Sequence, residues 1–214
     1  MCNLYSLTKS QDAIRALFRV DADGLGNLPV MPGIFPDQMA PVLRRGAAGR
    51  ELVMQRWGFP APPGVTGGRP VTNIRNTASN YWRAWMAPRY RCLVPATSFC
   101  EYAGAKPALP HWFALAPDRP LFAFAGLWRP WTGTRGKIEG EHAFFAFLTT
   151  EPNEVVAPIH PKAMPVMLTS EQDFDIWLNA PAEAALKLQK PLPDERLFIV
   201  ATGAKQDPPP NTLF

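Results

Sequence analysis

Cysteine and histidine are scarce in this 214-residue chain, with three of each. Cys2, Cys92 and Cys100 cannot all pair, and neither a CxxC nor a histidine stands at zinc-ligand spacing. A disulfide framework and a structural zinc site are therefore not expected. HExxH, GxSxG, a Walker loop and a GxGxxG after a strand are all missing, so no metal or cofactor is expected. No apolar run approaches the ~20 residues of a membrane span. The start, MCNLYSLTKSQ, lacks the basic and apolar segments of a secretory signal, which points to the cytoplasm and away from a membrane partner. Glycine is outnumbered by proline, 15 to 25, which favours fixed corners and short strands over long helices. What remains, 47% hydrophobic and 19% charged, is the composition of an ordered globule, read as a monomeric single domain over residues 1–214 with an irregular tail over 205–214.

Acidic residues are also missing locally. Net charge is only +4, but residues 52–100 hold no Asp or Glu, where the chain average would place about four. The same segment carries Arg56, Arg69, Arg75, Arg83, Arg89 and Arg91, interleaved with Trp57, Tyr81, Trp82, Trp85 and Tyr90. Guanidinium groups for phosphate and rings for unpaired bases are what single-strand binding needs. The same residues also suit a scaffold whose arginines face water and whose rings form core.

Hydrophobic periodicity predicts a helix over 9–19, with Thr8 and Gln11 as a capping box. A second helix is expected in NTASNYWRAWM, capped by Thr77 or Ser79, and two more after Thr150 and Ser170. VMQRWGF, RCLVPA, HWFALA, LFAFAGLW, HAFFAFLTT, MPVML and LFIVA read as strands. The fold class is therefore α+β, with a mostly antiparallel sheet and peripheral helices.

Cys2 carries the distinctive chemistry. Removal of Met1 would leave an α-amine beside a thiol. An α-amine has a pKa of ~7.7–8.0 against ~10.4 for lysine, so far more of it is nucleophilic at neutral pH. It condenses with an aldehyde to a Schiff base. The thiol then closes a five-membered thiazolidine, an intramolecular step with a large effective molarity. The ring-opened sugar of an abasic site in single-stranded DNA offers such an aldehyde. Opening its closed form calls for a histidine and a carboxylate. A buried, unreactive cysteine near a terminus is the other reading.

The motifs MC, RWGF, TNIRNT, RCLVPATSFCEY, FAGLW, FLTTEPN and IHPKAMPVML, in that order, give the sequence a resemblance to the SOS response-associated peptidase (SRAP) family of abasic-site processing proteins, from Cys2 to about Leu178. The resemblance implies a compact domain with a strongly curved, barrel-like sheet. It also implies a covalent thiazolidine link from Cys2 to an abasic site in single-stranded DNA, shielding the lesion. By the same resemblance Asn73 holds the cysteine and the sugar, Glu101 orients the amine or moves protons, and His160 assists ring opening. Arg75 would contact phosphate, Thr149 and Pro36 would line the DNA cleft, and Trp57 and Lys162 are further DNA-binding candidates. The family name implies a thiol autopeptidase step, which here would involve only Met1.

Two positions depart from the family. Many members begin MCGR, whereas Asn3 and Leu4 stand here, so a phosphate contact is expected to be lost. Pro161, Lys162 and Ala163 separate His160 from Met164, one residue more than is usual. Without the resemblance, Asn73 reads as a turn residue, Glu101 as a surface acid and His160 as a structural histidine. Cys92 and Cys100 read as buried filler. Two alternatives remain: an N-terminal cysteine hydrolase of the class II glutamine amidotransferase type, and a noncovalent single-strand binding module.

Overall fold

The computed structural model describes residues 2–61, 70–104, 107–135 and 137–208. Strand β1 (Tyr5–Leu7) leads into helix α1 (Gln11–Phe18), β2 (Ala22–Asp23) and β3 (Met31–Ile34). The hairpin β4 (Met39–Gly46) and β5 (Gly49–Trp57) follows, then β6 (Asn73–Ile74) and α2 (Asn80–Arg83). Next come β7 (Arg91–Ala96), β8 (Ser98–Ala103), β9 (Leu109–Ala114), and the long hairpin β10 (Phe122–Arg135) and β11 (Ile138–Thr150). The last elements are β12 (Met164–Pro165), β13 (Met167–Leu168), α3 (Glu171–Asn179), α4 (Ala182–Leu186) and β14 (Phe198–Thr202).

β11, β10, β7, β4 and β5 pair in turn. Parallel pairing of β11 with β5, Phe144 beside Arg56 and Phe145 beside Trp57, closes them into a barrel. The second sheet runs β14-β9-β8-β1-β3. Inside, Tyr5 meets Trp57, Phe124 and Phe147 edge-on with ring centroids 5.0–6.0 Å apart, a favoured aromatic geometry. The glycine of FAGLW is required by space. A Cβ on Gly126 would stand 2.7 Å from Cys92 Sγ and 2.9 Å from Val94 Cγ2. Trp177 of α3 caps this spot, its indole N–H donating to the Cys92 and Gly126 carbonyls.

The α+β class with a closed, curved sheet is what forms, and most strands fall where the sequence places them. Several local expectations need correction. The first helix begins at Gln11 because Ser10, not Thr8, accepts the Ala13 N–H; the Thr8 hydroxyl instead meets Thr97. α2 is a single turn capped by Ser79. After Thr150 the chain makes successive turns rather than a helix. Asn153 binds the Val156 N–H with its side chain, and Pro158 cannot donate to a continuing helix. The tail is irregular but fixed as far as described: Asp207 is buried. Residues 209–214 lie outside the described residues. No helix among the described residues is long and apolar enough to cross a membrane.

Candidate active site

β1 enters the second sheet opposite β8, with Tyr5 beside Phe99, and the Cys100 N–H donates to the Leu4 carbonyl at 2.9 Å. Strand alternation puts Phe99 and Glu101 on one face. Cys100 turns the other way, into a small cluster with Leu4 and Trp112. The two elements thus bring Cys2 and Glu101 to the same end of the fold, where the Glu101 charge acts on the Cys2 thiol.

β6 lies alongside β11, with Asn73 beside Phe147. The Asn73 amide donates to the Cys2 carbonyl and to Thr72 Oγ1, both at 2.8 Å. Thr72 in turn donates to Asn3 Oδ1 at 3.2 Å. His160 follows the 153–159 turns and is anchored where β12 pairs with the end of β11. Its Nδ1 lies 2.9 Å from the Ala163 carbonyl and 3.3 Å from the Ala163 N–H. The shorter contact favours a proton on Nδ1, leaving Nε2 as an acceptor. Nε2 lies 3.9 Å from Glu101 Oε2, too far for a direct hydrogen bond and close enough for a bridging atom.

Burial sets the electrostatics. It holds the Cys2 thiol well above its ordinary range, and the Glu101 carboxylate adds to that. It pushes Glu101 up to about 7 and lowers His160. Glu101 thus exchanges its proton near neutrality while His160 favours the neutral imidazole, a pair suited to moving one proton between them. Asn73 Oδ1 and Glu101 Oε1 are buried with no hydrogen-bond partner among the described residues. Such acceptors are rare in folded proteins and suit a donor arriving with a substrate or a remodelled terminus. No cluster of His, Cys, Asp or Glu among the described residues could hold a metal ion.

Cys2, Asn73, Glu101 and His160 therefore converge, and Arg75 and Lys162 flank them. Arg75 is exposed, with Nη1 3.4 Å from the Lys162 carbonyl and Nη2 3.6 Å from Glu151 Oε2. Lys162 is exposed. Thr149 is on the strand beside Pro165 but is itself buried, so it offers no open surface to DNA. Pro36 lies in the turn between β3 and β4, half-buried. Trp57 is a correction. Its ring is fully buried, stacked with Phe147 at 5.2 Å, and cannot meet a base without opening the core. Its indole N–H instead holds the Thr72 carbonyl at 3.2 Å, bracing the segment that carries Asn73.

The acid-free segment splits in the same way. Arg91 is wholly buried, donating to the Met86 and Trp177 carbonyls, and Arg56 is paired with Asp37. Arg83 and Arg89 are exposed; Arg89 stacks on Tyr90 at 4.8 Å. Arg69 lies outside the described residues. Leu4, where many members of the family carry arginine, is buried in the cluster with Cys100 and Trp112.

Sequence reasoning missed two supports. Thr72 stood beside Asn73 in a quoted motif and could have been found as its partner. Gln189, which donates to the Arg75 and Thr149 carbonyls at 3.0 and 2.9 Å, carried no local signal.

The SOS response associated peptidase family profile matches residues 1–203. The abasic site processing protein YoqW of Bacillus subtilis is 30% identical over 188 residues, spanning 84% of this chain and 80% of YoqW. The abasic site processing protein YoaM of the same organism is 29% identical over 189 residues, 84% and 79% of the two chains. A crystal structure of a protein from Bordetella bronchiseptica superposes with a TM-score of 0.73 at 26% identity, covering 94% of this chain and 98% of that one. With its motifs in order, its barrel shared and its length matched almost throughout, the chain belongs to the SOS response associated peptidase family.

Proposed function

We propose that this protein processes abasic sites by capturing the open sugar aldehyde of single-stranded DNA on Cys2, once Met1 has been removed. The observation that supports this most is the convergence of Cys2 and Asn73 with two buried acceptors, Asn73 Oδ1 and Glu101 Oε1, that have no partner among the described residues. A liberated α-amine on Cys2 brings N–H donors to this end of the fold, and an amine so held is oriented for attack. The relatives named abasic site processing proteins supply the substrate class.

The chemistry closes without a cofactor. The Cys2 amine adds to C1 of the sugar, giving a carbinolamine; loss of water gives an imine. The thiol then adds across the C=N bond, sulfur to carbon and proton to nitrogen, so one water leaves overall. Because burial keeps the thiol protonated, the amine acts first. Glu101, poised near neutrality, protonates the departing hydroxyl. Neutral His160 takes a proton from the closed sugar as it opens and exchanges it with Glu101 across the 3.9 Å gap. Arg75 and Lys162 beside the site offer phosphate contacts, the exposed Arg83 and Arg89 are further candidates, and the half-buried Trp85 and Tyr90 rings are candidates for stacking.

The test is a denaturing gel with a single-stranded oligonucleotide carrying one abasic site. Wild type should give a heat-stable adduct and Cys2→Ala none. An undiminished adduct from Cys2→Ala would rule out the cysteine mechanism. A complex lost on denaturation from both proteins would favour noncovalent binding.

A further inference from the structure

β1 is short for the strand that carries a reactive terminus. It spans Tyr5–Leu7, and two-residue pairings with β3 and β8 would leave it prone to fray. The structure supplies a second hold from far along the chain. Residues 203–207 cross back over the second sheet. The Gly203 N–H donates to the Pro110 carbonyl and the Asp207 N–H to the Pro32 carbonyl, at 2.9 and 2.8 Å. Trp112 Nε1 donates to the Ala204 carbonyl at 2.9 Å. A Cβ on Gly33 would touch both Gln206 and Leu4, so the crossing segment passes over the residue two places from Cys2.

Asp207 ends this strap inside the protein. Its carboxylate accepts from Arg119 Nε at 2.9 Å on both oxygens. Ser98 Oγ and Ser6 Oγ donate to Oδ2 at 2.6 and 3.2 Å. Ser6 is the middle residue of β1 and also meets Ser98 Oγ at 2.6 Å and Thr97 Oγ1 at 3.0 Å. Arg119 sits at φ 54°, a left-handed conformation that costs energy for a bulky residue and is kept only where its surroundings impose it. The strap itself, residues 203–207, starts where the family match ends.

We propose that Asp207 is a positioning residue for Cys2: through Ser6 and the strap over Leu4 it holds β1 in the register that presents the terminus to Asn73 and Glu101. The effect on crosslinking rests on the function proposed above; the hold on β1 does not.

Two full-length variants test this. Asp207→Asn weakens the ion pair, and the milder Ser6→Ala frees the β1 side chain from Asp207, Ser98 and Thr97 while leaving the Arg119 and Ser98 bonds to Asp207 and the strap in place. Three readouts are compared: alkylation of Cys2 by a small neutral maleimide, read by peptide mass with Cys92 as control; amide exchange of 5–7 against β10 and β11; and crosslinking rate at saturating abasic oligonucleotide beside noncovalent affinity. In both variants Cys2 alkylation and exchange at 5–7 should quicken several-fold, with Cys92, β10 and β11 unchanged. Crosslinking should slow about tenfold at unaltered affinity, the cost of a misplaced reacting group. Opposite movement of the two Cys2 reactivities is what general loosening would not produce. Unchanged alkylation and exchange at β1 in Ser6→Ala, or an equal rise in β10 and β11, would overturn the proposal. If wild type forms no adduct, the proposed function fails, and alkylation and exchange still decide the positioning role.

Discussion

Two buried carboxylates serve the same sheet in opposite ways. Asp207 and Glu101 are almost equally hidden, 2% and 3% exposed, and both are reached from β8, through Ser98 on one face and directly on the other. Asp207 is fully provided for: a guanidinium and two hydroxyls donate to it. Among the described residues Glu101 is paired with no arginine or lysine. One oxygen has no partner among the described residues, and the other faces His160 at 3.9 Å. The consequence is a carboxyl group pushed up to about 7 by burial. A paired buried charge fixes structure, whereas an underpaired one keeps a proton available for chemistry.

The largest expected effect tests the structural half of that contrast. Asp207→Ala leaves the Arg119 charge buried alone and should cost about 3–5 kcal/mol in urea unfolding. The double variant Arg119→Met, Asp207→Leu should recover most of it. A single variant as stable as wild type would show that the pair is idle. On the chemical half, Glu101→Gln keeps the shape and removes the exchangeable proton. It should slow adduct formation about 10²-fold at unchanged noncovalent affinity. Quench-flow or timed gels would show whether rate and binding separate in this way.

Acid–base linkage separates the two carboxylates further. Because the Glu101 pKa is raised on folding, the unfolded chain releases this proton first. Stability therefore falls as pH rises from about 4.5 to about 7. Glu101→Gln should then unfold later than wild type at pH 8, by about 3 kcal/mol, with the difference vanishing near pH 4. Equal curves at pH 8 would mean that the site satisfies its carboxylate after all. The smallest effect lies at the rim. Arg75→Ala should lower the salt slope of single-strand binding by about 0.7, the value for one phosphate contact. Glu151→Gln, which frees Arg75 from its partner at 3.6 Å, should tighten binding modestly.

How far the sequence revealed this contrast depended on where each partner lay. Strands such as FAFAGLW and HAFFAFLTT carry unbroken apolar and aromatic runs, so the barrel walls were legible. Cys2, Asn73, Glu101 and His160, which the fold brings together, stood out only through the family motifs that hold them; residue by residue they read as an unreactive cysteine, a turn, a surface acid and a structural histidine. Trp57 was misread because periodicity cannot tell a ring that faces a core from one that faces a ligand. The run of arginines was misread in part for the same reason: Arg91 lies buried under α3, with its charge spent on backbone carbonyls. Asp207 was invisible. It lies in a proline-rich tail that looks irregular, and its partners Ser6, Ser98 and Arg119 are 88 to 201 residues away. The 151–160 segment failed as a helix because Pro158 removes an N–H donor just after the turn that Asn153 caps.

The central claim is that Cys2, freed of Met1, bonds the abasic sugar through both nitrogen and sulfur. Intact-mass spectrometry of the purified protein, before and after incubation with an abasic oligonucleotide, addresses it most directly. The account predicts a chain lacking Met1 that gains one oligonucleotide less one water, with the added mass mapped to Cys2. A chain that retains Met1, or an adduct carried on another residue, would contradict it.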